Sequence, residues 1–437
     1  MNAPLLKHSP TSIYHLESNV RSYCRECDVV FATASGATLT DIDGLRYIDF
    51  FAGAGSLNYG HNNPYLKKHL LAYIEQDGVT TTLDFHSDAK SRFIERFEQV
   101  ILTPRNMHYK LQFTGPTGTN AVEAALKLAR KVTGRSTVAA FTHGFHGVSL
   151  GALAATANAD KRGAAGVELS NVVRLPYDGF FGPDIDSADI ITSLYQTAGS
   201  GYEAPAALIL ETVQGEGGLN CAQPGWLKRI EQLCKDLGAL LIVDDIQAGC
   251  GRAGTFFSFE PAGISPDIIC LSKSISGYGL PMSLVLIKPE HDLWEPGEHN
   301  GTFRGNNPAF VTACAALDYW QNTQLQDAIA TNAALMRIRL EQIIARLSPG
   351  VARVVGRGMF LGLRFDDASI AGTLVSACLE QGLLVETCGP QSEVLKLMPP
   401  LTIDTPTLQQ GLEQLERACF RALSINATPT DALQGIA

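Results

Sequence analysis

No run of apolar residues in this chain is long enough to span a bilayer, so a membrane-crossing helix is not expected. Positive charge is scarce as well. The 34 Lys and Arg against 44 Asp and Glu leave a net charge of -10 and a pI near 5.5, which argues against nucleic acid as a main partner. Of ten cysteines, only Cys24 and Cys27 form a CxxC pair. Without a second pair or histidines at zinc spacing, no metal site is expected there. The other cysteines mostly sit in apolar segments and read as reduced and structural. Met1 to Pro10 has no apolar signal core, which gives a cytoplasmic expectation. Internal repeats, charge blocks and low-complexity stretches are missing, and so is the nucleotide P-loop spacing with its Lys-Ser/Thr ending.

What remains is an ordinary globular composition, 45% apolar and 18% charged over 437 residues. A chain of this length suits one large domain with a smaller one. Residues 1–15 read as a frayed leader, and a first helix is expected over Ser18 to Cys24. Thr38 to Gly44 and Arg46 to Phe50 read as a hairpin with Asp-Gly at its turn. The glycine-rich stretch Phe51 to His61 suits either a close backbone approach to a ligand or a surface loop. From about residue 86, strands and helices alternate: 109–113, 137–141, 206–210, 239–244, 266–271 and 282–287 as strands, with helices at 87–101, 120–132 and 226–237 among them. Such alternation implies right-handed crossovers and a largely parallel sheet. After residue 325 the register becomes α+β, with strands 351–355, 359–365, 383–386 and 394–398 among helices 326–347, 368–381 and 406–423, and with residues 424–437 read as disordered. The expected fold is therefore α/β. Residues 1–85 would contribute to the small domain, 86–325 form the large domain and 326–437 the C-terminal small domain.

The chemistry concentrates at strand ends. Ala239 to Val243 runs straight into Asp244-Asp245 and then Gln247, and the next buried strand ends in Ser272-Lys273-Ser274. Ligands of open α/β sheets lie at the carboxyl ends of strands. A buried carboxylate there needs a cation. An aspartate and a lysine at neighbouring strand ends suit an aromatic nitrogen cation and an imine-forming amine, which points to pyridoxal phosphate. The turn Thr114 to Thr119 opens a helix and would offer Gly118 and Thr119 to a phosphate. Phe145 follows another strand end, where it could stack on a flat ring or simply pack in the core.

With these parts in this order, the sequence resembles the class III (ω-) aminotransferases of fold type I, over about residues 15–423. The motifs are Gly118-Thr119, Phe145-His146-Gly147, Gln214 to Gly218, Asp244 to Gln247, Ser272 to Ser274 and Thr302 to Asn306. Within the class, Phe50 to Pro64 and Phe113 to Asn120 are most similar to the diaminobutyrate–2-oxoglutarate group of ectoine and siderophore pathways. The resemblance implies Lys273 as the lysine that carries the cofactor and shuttles a proton. It further implies Asp244 on the pyridinium nitrogen, Gln247 on the phenolic oxygen, Phe145 on the ring face, and Gly118 and Thr119 on the phosphate. Thr302 would reach that phosphate from the second subunit of a homodimer, with a tetramer left open. The implied reaction moves the amine of L-glutamate onto L-aspartate 4-semialdehyde. Three positions depart from the class: Asp245 for Glu, Ala253 for Thr, and Lys396 for the arginine that works with the equivalent of Glu216 in γ-aminobutyrate enzymes. Lysine is a point charge and cannot clamp a carboxylate through a bidentate fork.

Rival readings are a divalent metal on Asp244-Asp245, which gives Gln247 and Lys273 no role, and a fold-type I scaffold without activity. A racemase, an aminomutase or another ω-aminotransferase of 4-aminobutyrate or ornithine type would use the same cofactor site.

Overall fold

The computed structural model describes residues 15–25 and 27–423. A seven-stranded sheet carries the strand order Lys110–Phe113, Leu284–Ile287, Ile268–Leu271, Leu240–Asp244, Ala207–Leu210, Val138–Phe141 and Val172–Leu175. Leu240–Asp244 is central and parallel to both neighbours, pairing Ile242 with Ile209 on one side and Ile268 on the other. Leu284–Ile287 is the strand that runs against its neighbours. Every residue of Leu240–Asp244 is buried, as an unbroken apolar run requires. Successive side chains face opposite ways. Leu241 and Val243 join one core with the aromatic residues Phe93, Phe97 and Phe113, whereas Leu240 and Ile242 join a second core. Helix Gly118–Thr133 covers that second face with Ala121, Ala124, Ala125 and Ala129, whose short side chains allow close approach.

Strands Phe31–Ser35, Thr38–Asp41 and Arg46–Asp49 form a second sheet, closed by Leu383–Leu384 running parallel to Ile48–Asp49. A third sheet is ordered Ala352–Arg357, Phe360–Phe365, Val394–Leu397 and Glu386–Cys388. The strand expected over 383–386 is thus divided. Its first half pairs with the N-terminal strands, and Glu386 begins another strand that pairs with Lys396. Helices Gln324–Ala345, Ala368–Glu380 and Thr405–Ala422 accompany these sheets.

Two local expectations are corrected, and the glycine-rich stretch, left open by the sequence, takes a definite form. In place of a helix over 18–24 there is a 3-10 turn at Tyr23–Arg25, since those few residues bury nothing. The helix expected at Asn120 starts at Gly118, because the Thr117 side chain accepts the Asn120 amide as its cap. The stretch after Phe50 contains a tight turn, Ala52–Gly55, with left-handed backbone at every residue. The readings for residues 1–14 and 424–437 lie outside the described residues. Among the described residues, no helix is long and apolar enough to cross a membrane.

Candidate active site

The carboxyl ends of the central strands meet around a cavity of about 180 Å3, lined by Gly118, Thr119, Phe145, His146, Gly147, Glu211, Glu216, Asp244, Ile246, Gln247 and Lys273. Residues up to 155 positions apart in the chain converge there because parallel strands deliver their ends to one edge of the sheet. Asp244 is 4% exposed. Its Oδ2 lies 2.8 Å from His146 Nδ1, and its Oδ1 accepts the Ile246 amide at 3.2 Å. Glu211, next to it, accepts the amides of Phe145 and Gly215. Burial, and then the charge of Asp244, raise the Glu211 carboxyl well above the usual range, which favours its neutral form. Phe145 is half-buried and lines the cavity instead of packing in a core.

Lys273 follows the strand Ile268–Leu271 and has a left-handed backbone, φ 52°. Its Nζ donates to the carbonyl of Ala54 at 2.8 Å, and Gln247 Nε2 donates to the same oxygen at 3.0 Å. That carbonyl belongs to the left-handed turn Ala52–Gly55, where φ is 46° at Ala52 and 55° at Ala54. Left-handed backbone costs an alanine about 1–2 kcal/mol. Asp49 Oδ1 offsets this by accepting the amides of Phe51 and Ala52, and Ser274 by donating to Gly55 O at 2.7 Å. Desolvation lowers the pKa of the Lys273 ammonium, and the charge of Lys396 lowers it further against the pull of Glu216. A Cβ at Gly215 would lie 1.7 Å from Gln247 Oε1, so a larger residue there would push the Gln247 side chain from its place.

At the first turn of helix Gly118–Thr133, backbone amides lack intrahelical partners and point outward. Thr119 Oγ1 is 2.5 Å from Ser149 Oγ, which in turn donates to Glu123 at 2.7 Å. Gly147 (φ +124°) passes so close that a Cβ would sit 2.4 Å from Thr119 Oγ1. Thr302, exposed at the start of the turn Thr302–Gly305, does not line this cavity.

Lys396 is also outside the lining but touches it. Its fully buried Nζ lies 2.8 Å from Glu216 Oε1 and 2.9 Å from Glu386 Oε1. Burial opposes the ammonium, but the two carboxylates outweigh it and raise its pKa well above that of an ordinary lysine. Burial likewise opposes the Glu216 charge, yet Lys396 and Lys273 bring that carboxyl down to about 2. Sequence reasoning missed Glu386, Glu211 and the Ala54 carbonyl. Asp245, considered beside Asp244, points away: its Oδ2 accepts the Ser258 amide at 3.0 Å.

These residues fit pyridoxal phosphate. The buried Asp244 charge can meet a ring-nitrogen cation, Lys273 can be a free amine, and the helix N-terminus suits a dianion. The chain belongs to the class-III aminotransferase family, whose model matches residues 22–419, and it is accordingly an aminotransferase that uses this cofactor. More narrowly, it is 55% identical over 404 residues to a diaminobutyrate–2-oxoglutarate transaminase of Vibrio cholerae, covering 92% of this chain and 98% of that one. It is 56% identical over 407 residues to a protein of the same name from Streptomyces anulatus, covering 93% and 96%. The fold matches an ornithine aminotransferase from Toxoplasma gondii, crystallised with pyridoxal phosphate at partial occupancy (TM-score 0.82, 27% identity, 95% and 93% covered).

Proposed function

We propose that this enzyme transfers the amino group of L-glutamate to L-aspartate 4-semialdehyde, giving L-2,4-diaminobutyrate and 2-oxoglutarate. The observation that carries the substrate choice is the Glu216–Lys396 contact at the cavity wall. Glutamate bears a carboxylate on its reacting carbon, whereas the semialdehyde bears hydrogen there. A fixed free cation would favour the first and be left unpaired by the second, at a high desolvation cost. Glu216 paired to Lys396 suits the semialdehyde and diaminobutyrate. When glutamate is bound, Lys396 turns to its carboxylate. A panel of amino donors scored by product tests the assignment, and γ-aminobutyrate outcompeting diaminobutyrate as donor would overturn it.

In this reading Gly118 and Thr119 hold the phosphate, Phe145 covers the ring, Gln247 bonds the phenolic oxygen, and Asp244 keeps the ring nitrogen protonated. When bound, pyridoxal phosphate supplies an aldehyde that joins amines and a ring that accepts the electrons left by proton removal. Lys273 Nζ, desolvated and therefore able to act as a neutral base, takes the proton from the amine-bearing carbon of the substrate and returns it further along. A cytoplasmic homodimer completes the proposal.

Lys396→Ala should lower kcat/KM for glutamate by roughly 10-fold or more, the scale of a hydrogen bond to a charge, and should spare the diaminobutyrate half-reaction. Single-turnover kinetics with each donor checks this; equal losses would remove Lys396 from the switch. Thr302 supplies its hydroxyl across the dimer, so mixing inactive Lys273→Ala subunits with inactive Thr302→Glu subunits should restore one intact site per heterodimer. Verified heterodimers that recover nothing would show the assignment across the interface to be wrong.

A further inference from the structure

The ammonium of Lys396 faces two carboxylates, and the switch just described uses one. Glu386 is the cross-strand partner of Lys396 in the third sheet, so the antiparallel register itself holds the two side chains together. It is 3% exposed and is absent from the cavity lining, whereas Glu216 forms part of that lining. Apart from the 2.9 Å ion contact with Lys396, neither Glu386 oxygen receives a well-directed hydrogen bond among the described residues. The charged groups that face it are Lys396, Glu216 and Lys273. Cys388, two residues along the same strand, is a neutral thiol, its pKa pushed up by burial.

We propose that Glu386 is a specificity-determining positioning residue that anchors Lys396 from behind the cavity wall and takes up a proton from solvent when a substrate carboxylate joins Glu216 at that lysine. The inference rests on the reading that this lysine receives the glutamate carboxylate. With Glu386 ionised, one buried cation is already shared between two carboxylates, and glutamate would add a third. Protonating Glu386 releases the whole lysine charge to Glu216 and the incoming group, while the side chain still fills its place. A carboxylate without directed donors in an apolar setting holds a proton readily. Burial, partly countered by Lys396, pushes Glu386 up to about 7, so the change costs little near neutrality. The sign follows. Below that value Glu386 is already protonated and carboxylates bind best, and above it each binding event must draw a proton, so affinity falls as pH rises. Diaminobutyrate, with no carboxylate on the reacting carbon, escapes this coupling, which is how Glu386 separates the two substrates.

Glutarate, a dicarboxylate with no amine or carbonyl to react, is the probe for the holoenzyme. Its dissociation constant should rise roughly five- to tenfold from pH 6 to pH 8, within the limit of tenfold per pH unit for one linked proton. Calorimetry in buffers of different ionisation heat should show fractional proton uptake on binding, greatest near or above neutrality. Glu386→Gln, which keeps the shape and removes the titration, should bind glutarate with a flat pH profile near the low-pH wild-type affinity and take up no proton. Uptake in Glu386→Gln equal to that of wild type overturns the inference and leaves the Lys396 reading standing. Glutarate binding indifferent to Lys396→Met overturns both. Wild-type binding that is flat over this range overturns the inference without any variant, so the outcome does not depend on Glu386→Gln folding.

Discussion

Lys273→Ala should bind pyridoxal phosphate without a covalent link and lose roughly 10³-fold or more of its turnover, because both the attachment and the proton transfer depend on one amine. The site explains why no neighbour can substitute. Lys396 lies close behind the cavity, but its ammonium is held between Glu216 and Glu386, which raise its pKa far above neutrality. Lys273 is the opposite case. Its ammonium is destabilised by desolvation and by the charge of Lys396, and its Nζ rests on the neutral carbonyl of Ala54. One lysine is thus shifted toward the nucleophilic free amine and the other is locked as a cation. Borohydride reduction followed by peptide mapping should place the pyridoxyl group on Lys273. A label on Lys396 or any other lysine would show that the wrong amine had been chosen. The cofactor should nevertheless remain bound in the variant, since Asp244, Gln247, Phe145 and the helix amides at Gly118 and Thr119 are untouched.

The parts of this site that were legible in the sequence are those that follow buried strands. An apolar run ending in Asp244, another ending before Lys273, and a strand before Phe145 each announce a position at the same edge of a parallel sheet. Knowing the sheet is enough to bring them together, and they do line one cavity. Periodicity says less about register and about backbone conformation. Residues 383–386 read as one strand, yet Leu383–Leu384 and Glu386–Cys388 belong to different sheets, and only that division sets Glu386 opposite Lys396. The Ala54 carbonyl was beyond reach for another reason. Alanine does not signal left-handed backbone, and the turn is held by Asp49 and Ser274, remote in sequence from each other. Glu211 stood in plain view after its strand, but its raised pKa depends on burial beside Asp244, which no linear pattern records.

Asp244→Asn should retain the cofactor and keep KM within a few-fold, while kcat falls by ~100-fold or more in both half-reactions, the scale seen when a preorganised charge partner is lost from a transition state. The substitution preserves volume, so the cavity and the Ile246 amide contact have little cause to change. In the proposed role it removes the negative charge that would keep the ring nitrogen protonated, and that proton matters most when electrons move toward the ring. The loss therefore falls on the transition state and hardly on ground-state binding. Neighbouring acids cannot compensate. Glu211 is pushed toward its neutral form with burial as the first cause and the charge of Asp244 as the second, and burial persists in the variant. Asp245 is turned toward the Ser258 amide and is absent from the cavity lining. His146, 2.8 Å from the Asp244 carboxylate, would face an amide, and its ring could then accept a hydrogen bond where it now meets a carboxylate. Stopped-flow measurement of each half-reaction, with cofactor content checked by absorbance, separates these effects. Should kcat stay within a few-fold of wild type while the cofactor is fully bound, Asp244 would not be the partner of the ring nitrogen. Among the described residues no other carboxylate on the cavity wall is then placed for that task, because burial favours the neutral form of Glu211 and Glu216 faces Lys396.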